Sequence, residues 1–333
     1  MTLHPDTQPK LVDVAKLAGV SPATVSRFIN KSGFVAEATA VRIGAAIAEL
    51  DYVPNLAAGS LVTRRSRLVA VLVPVLAQSL FNGTVQSLVA ALSRAGFTPI
   101  LGLTGFEQEE TLRLTDAMLS RRPDAFILTG VTSEVARQRL RKARVTVIET
   151  WDLPDDPIDI AIGFSHRAVG QAIAEYLVHR GYSRPFIVTT KRTRSTARRE
   201  GFLSAWPADK AGDIQETEVD SPARFSQARR IFREWLQASP RPDVIVCGSD
   251  GLAQGLAVEA LAAGVAVPNE LAIVGFGDIG VAADMRPSLT TIGIDGEKIG
   301  EEAARVLIAR EKGEPVPERV IDVGFRLIER ESA

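Results

Sequence analysis

From residue 11 to residue 30 the chain reads LVDVAKLAGVSPATVSRFIN, and its apolar residues fall at helical spacing. Leu11, Val14, Ala15 and Ala18 repeat at i, i+3, i+4, i+7, which gives a short helix one apolar stripe. Gly19 can take the left-handed conformation that ends a helix, Val20 is an apolar plug, Ser21 is a good N-cap, and Pro22 suits a first helical position. On the second helix Val25, Phe28 and Ile29 are predicted to face inward, leaving Ala23, Ser26, Arg27 and Asn30 as an outward row. Residues 35–50 predict a third helix, with Ile43, Ile47 and Leu50 on one face and Glu37 in the first turn, where the helix dipole favours an anion. Helix, glycine turn and helix fit an ordinary hairpin that closes a core. With the polar outer row they also fit a helix-turn-helix, whose second helix enters the DNA major groove.

From residue 68 the pattern becomes one of buried strands alternating with helices. LVAVLVP, TPILGL, AFILTG and VTVIET predict strands, with helices at 81–94, 109–121 and 134–143 between them. A second run begins at IAIGF and continues through PFIVTT, 214–219, VIVCG and LAIVGFG, with helices at 166–180, 198–206, 224–238 and 251–264. Such alternation predicts parallel sheets covered on both faces, in two similar α/β lobes in series. Ligands of open parallel sheets bind beyond the carboxyl ends of the strands. The loops at 74–81, 129–132, 149–152, 163–166, 189–198 and 247–250 are therefore the ones to examine.

Composition narrows the classes further. The 333 residues, 46% hydrophobic and 24% charged, suit a small module joined to a larger two-lobe body. The net charge of −1 means that nucleic-acid binding has to rest on local patches: Lys10, Lys16, Arg27, Lys31 and Arg42, then Arg64, Arg65 and Arg67. Cys247 is the only cysteine, so neither an internal disulfide nor a cysteine-rich metal site can form. The first residues lack an apolar signal core, and the longest apolar run, 68–77, is too short to span a bilayer, so a cytoplasmic location is expected.

The DVAKLAGVSPATVSRFIN run, the ELDYVPN run and the LAAGSL segment after it resemble the lactose-repressor (LacI/GalR) family of bacterial regulators, and the resemblance extends through essentially the whole chain. It implies an all-α helix-turn-helix head at 1–54, a hinge helix and linker at 55–67, and a periplasmic-binding-protein-like α/β core at 68–333. Lobe 1 of that core would hold 68–162 plus 294–322, and lobe 2 would hold 163–293 plus 323–333. The chain would cross near 289–295, place a helix at 297–310 in lobe 1, and cross again near 321–325. The family's base-reading positions fall on Pro22, Ala23 and Arg27. Only Arg27 can donate to a guanine edge or a phosphate. Ser21, Thr24, Ser26 and Asn30 suit phosphate or capping bonds, and Thr24 and Asn30 suit purely structural roles equally. In the hinge, 55–61, Asn55 opens the helix, Ala58 falls at the close contact with a partner's hinge, and Leu61 matches the leucine that wedges a base step open. Gly59 and Ser60 weaken intrinsic helicity, so the hinge is expected to order only on DNA.

In the cleft the candidate effector contacts are Ser79, Phe81, Thr129, Trp151, Arg194, Arg198 and Asp250. Arg198, in its RxxGF context, and Asp250, in GSDGLAQG, match the family's ligand positions. A guanidinium fork suits a carboxylate or vicinal hydroxyls, and a carboxylate accepts from sugar hydroxyls. Asp250 also suits an N-cap, and Trp151 suits lobe packing as well as closure over a ligand. The basic run KRTRSTARR points to an anionic effector, with Arg192 and Arg199 read as solvated surface. VIETWDLPDDPIDIAIGF, FNGTVQSL and VIDVGF are most similar to repressors of gluconate operons within the family. The implied function is a homodimeric repressor released from operator DNA by a sugar acid such as gluconate. A neutral sugar remains open as effector, and so does a sugar-binding protein of the periplasmic kind. The glycines of 275–280 satisfy GxGxxG but close a strand and do not open a βαβ unit, so no nucleotide cofactor is expected. His4, His166 and His179 lack metal-ligand spacing, and no nucleophile–base set points to an enzyme.

Overall fold

The computed structural model describes residues 9–30, 32–54, 65–76, 79–130, 133–221, 223–316 and 318–333. The chain forms two compact units, Met1–Ser66 and Arg67–Ala333.

In the first unit three helices, α1 (Leu11–Ala18), α2 (Pro22–Asn30) and α3 (Glu37–Glu49), close around Val14, Ala15, Ala18, Val25, Ile43, Ala46 and Tyr52. Phe28, Ile29, Ile47 and Leu50 pack against this small core. Gly19 ends α1 at φ 64°, the left-handed conformation that glycine adopts without a Cβ clash. Ser21 Oγ accepts the Thr24 backbone N–H at 3.2 Å, capping α2 one residue before Pro22. The hinge positions Asn55, Ala58 and Leu61 lie outside the described residues.

The second unit is a two-lobe α/β body. Its first sheet runs in the order β11-β5-β4-β3-β1-β2, with β1 (Leu68–Val73), β2 (Thr98–Leu103), β3 (Ala125–Thr129), β4 (Thr146–Thr150), β5 (Ile160–Gly163) and β11 (Val320–Asp322). All of its pairings are parallel. Its helices are α4 (Asn82–Arg94), α5 (Gln108–Leu119) and α6 (Glu134–Ala143). The second sheet runs β12-β10-β9-β8-β6-β7, with β6 (Pro185–Thr189), β7 (Gln215–Glu218), β8 (Val244–Cys247), β9 (Ala272–Gly277), β10 (Thr290–Gly293) and β12 (Arg326–Ile328). Only the β10–β12 pair is antiparallel. Helices α7 (His166–His179), α8 (Thr193–Ala205), α9 (Ala228–Gln237) and α10 (Asp250–Ala262) belong to this lobe. The strands AFILT and VIVC are buried along their whole length, as strands covered on both faces must be.

The chain passes between the sheets three times: after β5, after β10 and between β11 and β12. After β10, α11 (Gly296–Glu311) returns to lobe 1 and packs on α4. Thr84 Oγ1 donates to the Gly296 carbonyl at 2.7 Å, and a Cβ on Gly300 would stand 2.4 Å from the Thr84 carbonyl oxygen. In lobe 2 the α7–α8 contact is equally close, because a Cβ on Gly170 would lie 1.9 Å from the Arg198 carbonyl oxygen. Among the described residues no helix is long and apolar enough to cross a membrane.

The structure corrects the expected start of one helix and the expected extent of the linker. Helix α8 starts at Thr193, not at 198, so most of the basic run is helix and not loop. Ser195 Oγ accepts the Thr190 N–H at 3.1 Å and shares a 2.8 Å hydrogen bond with Thr189 Oγ1, which anchors that early turn to the end of β6. Arg67, read as part of a basic linker, is committed to lobe 1. Its N–H donates to Asp124, its guanidinium lies 3.1 Å from Glu311, and it stacks over Phe97.

Candidate functional site

On the head, α2 presents Pro22, Ala23, Arg27 and Asn30 to solvent. The polar side chains around them are partly engaged locally. Ser21 and Thr24 hydroxyls share a 2.9 Å hydrogen bond, and Asn30 Nδ2 donates to Ser26 Oγ at 3.2 Å. Of the three base-reading positions Pro22, Ala23 and Arg27, only the exposed Arg27 guanidinium can donate to a base edge or a phosphate.

In the body, a cavity of about 300 Å³ opens between the lobes at the carboxyl ends of the parallel strands. That volume lies at the small end of ligand pockets, roughly 300–1,000 Å³. Lobe 1 supplies Phe81, Phe106, Thr129 and Trp151, while lobe 2 supplies Arg192, Arg194, Arg198 and Phe276. Trp151 follows β4 with φ 68°, a left-handed conformation that is unusual for a bulky residue. Its N–H donates to the Ile162 carbonyl at 3.0 Å and its indole N–H to Thr84 Oγ1 at 2.9 Å. Phe81 meets the indole edge-on, with ring centroids 5.0 Å apart.

Arg194 and Arg198 stand one turn apart on α8, yet their partners differ. Arg194 Nη2 donates to the Thr150 carbonyl at 2.8 Å, and its Nε lies 3.2 Å from Asp152, so its charge is balanced across the cleft. Arg198 has no acidic partner among the described residues. Its Nη1 lies 2.9 Å from His166 Nδ1, and its guanidinium carbon sits 4.2 Å over the Phe276 ring. Burial, reinforced by the Arg194 charge, brings the Arg198 pKa down to about 10, still well above neutrality. His166 Nε2 lies 3.0 Å from the Trp151 carbonyl oxygen. Burial and the two guanidinia hold its pKa well below the ordinary histidine value.

Of the expected effector contacts, Phe81, Thr129, Trp151, Arg194 and Arg198 border this cavity. Ser79 opens the 3₁₀ turn Ser79–Phe81. Asp250 does not border it. Its Oδ1 accepts from Thr291 Oγ1 at 2.6 Å and its Oδ2 from the Ile279 N–H at 2.9 Å, inside lobe 2. Nor is Asp250 the helix cap, since Ser249 Oγ accepts the Leu252 N–H. Gly275, the first glycine of the GxGxxG run, leaves room for that carboxylate, because a Cβ there would meet Asp250 Oδ1 at 2.1 Å. The turn after the run, Gly280–Ala282, is a single 3₁₀ turn and not the helix a dinucleotide site requires. Arg199 pairs with Glu216 on the surface, but Arg192 is not simply solvated. Its Nη1 donates to the Phe106 carbonyl at 2.7 Å, and the guanidinium stacks over the Phe106 ring. Sequence reasoning marked the loop 163–166 without singling out His166 as a contact, and it missed Phe276, near the carboxyl end of β9, where ligands of such sheets bind.

Residues 10–55 match the family described as bacterial regulatory proteins, lacI family, and residues 174–333 match the periplasmic binding protein-like domain. The chain is 35% identical to the HTH-type transcriptional regulator GntR of Pseudomonas aeruginosa over 330 residues, 98% of this chain and 96% of the relative. It is 28% identical to the ribose operon repressor of Escherichia coli over 326 residues, 96% of this chain and 98% of the relative. A crystal structure of a LacI-family transcriptional regulator from Silicibacter pomeroyi superposes with a TM-score of 0.88 at 30% identity, covering 97% of this chain and 99% of that one.

Proposed function

The chain belongs to the lacI family of bacterial regulatory proteins, and on that premise we propose that it is a repressor of a sugar-acid utilisation operon, released from its operator by an acid such as D-gluconate. Two chains bind the two half-sites of a pseudo-palindromic operator, because protein two-fold symmetry is mirrored in the DNA. The outer row of α2, with Arg27, reads the major groove. The effector occupies the inter-lobe cavity and shifts the lobe arrangement by its differential affinity for two states.

The observation that carries the effector class is Arg198, a guanidinium bordering the cavity whose partners are an imidazole and an aromatic face. A partly buried cation without a counter-ion is costly, and an anionic ligand supplies one. The resemblance to gluconate-operon repressors supports the same class. The ribose operon repressor among the relatives keeps a neutral sugar as the competing outcome.

The test is fluorescence anisotropy of the full chain on DNA from upstream of its own gene, titrated with D-gluconate and with D-ribose. Release by gluconate, abolished in Arg198→Ala without loss of DNA binding, is the expected result. Release by ribose alone, or an unaltered gluconate response in Arg198→Ala, would overturn the sugar-acid reading. Arg27→Ala should weaken operator binding and leave effector affinity unchanged.

A further inference from the structure

An arginine side chain can only donate hydrogen bonds. His166 Nδ1, 2.9 Å from Arg198 Nη1, must therefore be the acceptor and carry no proton. The other ring nitrogen, Nε2, lies 3.0 Å from the Trp151 carbonyl oxygen, which can only accept, so Nε2 carries the hydrogen. These two bonds specify a neutral imidazole in one tautomer. The surrounding groups agree. Arg194 and Arg198 on α8 face the ring, Phe164 meets it edge-on with centroids 4.7 Å apart, Phe276 lies 6.2 Å away, and the nearby carboxylate of Asp152 is paired with Arg194.

The usual partner of a guanidinium partly withdrawn from water is a carboxylate, which would orient Arg198 and also cancel its charge. An imidazole orients it and leaves the charge uncancelled. We propose that His166 is a positioning residue that sets the ligand preference of the cavity: by holding Arg198 through a neutral acceptor, it keeps a full positive charge for a ligand carboxylate and so selects an acid over the alcohol of the same skeleton. The inference rests on the sugar-acid reading given above.

The test compares D-gluconate with D-glucitol, which carries CH₂OH in place of the carboxylate, by calorimetric titration of the full chain. His166→Gln retains a neutral acceptor, whereas His166→Asp supplies an anionic one. Aspartate at the first position of α7 suits the helix dipole, so the fold should accept it. The expected result is that the preference for gluconate over glucitol persists in His166→Gln and falls about ten- to hundredfold in His166→Asp. An undiminished preference in His166→Asp, or an equal fall in both variants, overturns the proposal.

A second measurement needs no ligand. Long-range ¹H–¹⁵N correlation spectra of the free protein near neutral pH should show His166 protonated at Nε2 only, with the Nδ1 shift of a hydrogen-bonded acceptor. In Arg198→Met that shift should move towards the value of a free ring nitrogen. An imidazolium, a proton on Nδ1 or an unmoved shift overturns the positioning role. If the wild type binds neither compound while the spectra behave as expected, the sugar-acid reading fails and the positioning of Arg198 by His166 stands.

Discussion

His166 makes the stability of the body depend on pH in a definite direction. Burial and the charges of Arg198 and Arg194 keep the folded imidazole neutral well below its ordinary range. In the unfolded chain it titrates near its ordinary value of about 6.5. Below that pH the unfolded state binds a proton that the folded state does not, so stability falls as pH drops, by at most about 1.4 kcal/mol per pH unit from this group. Urea denaturation at neutral and mildly acidic pH should show that slope in the wild type and a shallower one in His166→Gln. Equal slopes would mean that the imidazole is not buried in its neutral form. The residue scale is also where the sequence is least informative about the site. Arg198 was legible through the resemblance of its RxxGF context to the family's ligand position, and Arg194 through the basic run that holds it. Arg198 and His166, however, are 32 positions apart and meet only because Gly170 and Gly201 let α7 and α8 approach. Asp250 shows the opposite failure. The resemblance of GSDGLAQG puts Asp250 at a ligand position, but the hydroxyl of Thr291, 41 positions away, holds the carboxylate inside the lobe.

At the scale of elements, two glycines in helices predict opposite outcomes. A Cβ on Gly44, within α3, would meet nothing within 4 Å, so Gly44→Ala should stabilise the head by about 0.5–1 kcal/mol through the lower backbone entropy of the unfolded chain. Gly170→Ala would place its methyl 1.9 Å from the Arg198 carbonyl oxygen and 2.6 Å from the Phe202 nitrogen. The neighbours are backbone atoms and cannot rotate away, so α7 and α8 must separate, costing about 1–3 kcal/mol and displacing Arg198. Denaturant midpoints measure both changes, and a weaker response to effector in Gly170→Ala would report the displacement. A stabilising Gly170→Ala would mean that the two helices are not in backbone contact there. The alternation of buried strands and helices was legible because each element carries its own periodicity. The start of α8 was not, because in KRTRSTARR helix and solvated loop share the same polar composition and the deciding bonds run from Ser195 back to Thr189 and Thr190.

At the scale of the whole body, the three chain crossings leave two lobes whose arrangement is set by contacts across the cleft. Two of these contacts come from neighbouring arginines of lobe 2. Arg192 reaches the Phe106 carbonyl and ring, and Arg194 reaches the Thr150 carbonyl and Asp152. Each holds lobe 1 to lobe 2 directly, so each biases the equilibrium between a closed and an open cleft without needing a ligand. Arg192→Ala removes one hydrogen bond and one cation–π contact, together about 1–2 kcal/mol of preference for the closed arrangement. If the effector binds that arrangement, its affinity should fall up to about tenfold or somewhat more, because part of the binding free energy is then used to close the cleft. Arg192 also borders the cavity, so a loss of affinity alone could reflect a lost ligand contact. Small-angle X-ray scattering of the unliganded variant separates the two. A larger radius of gyration than the wild type, collapsing on effector addition, assigns the arginine to lobe closure, whereas an unchanged radius with weakened binding assigns it to the ligand.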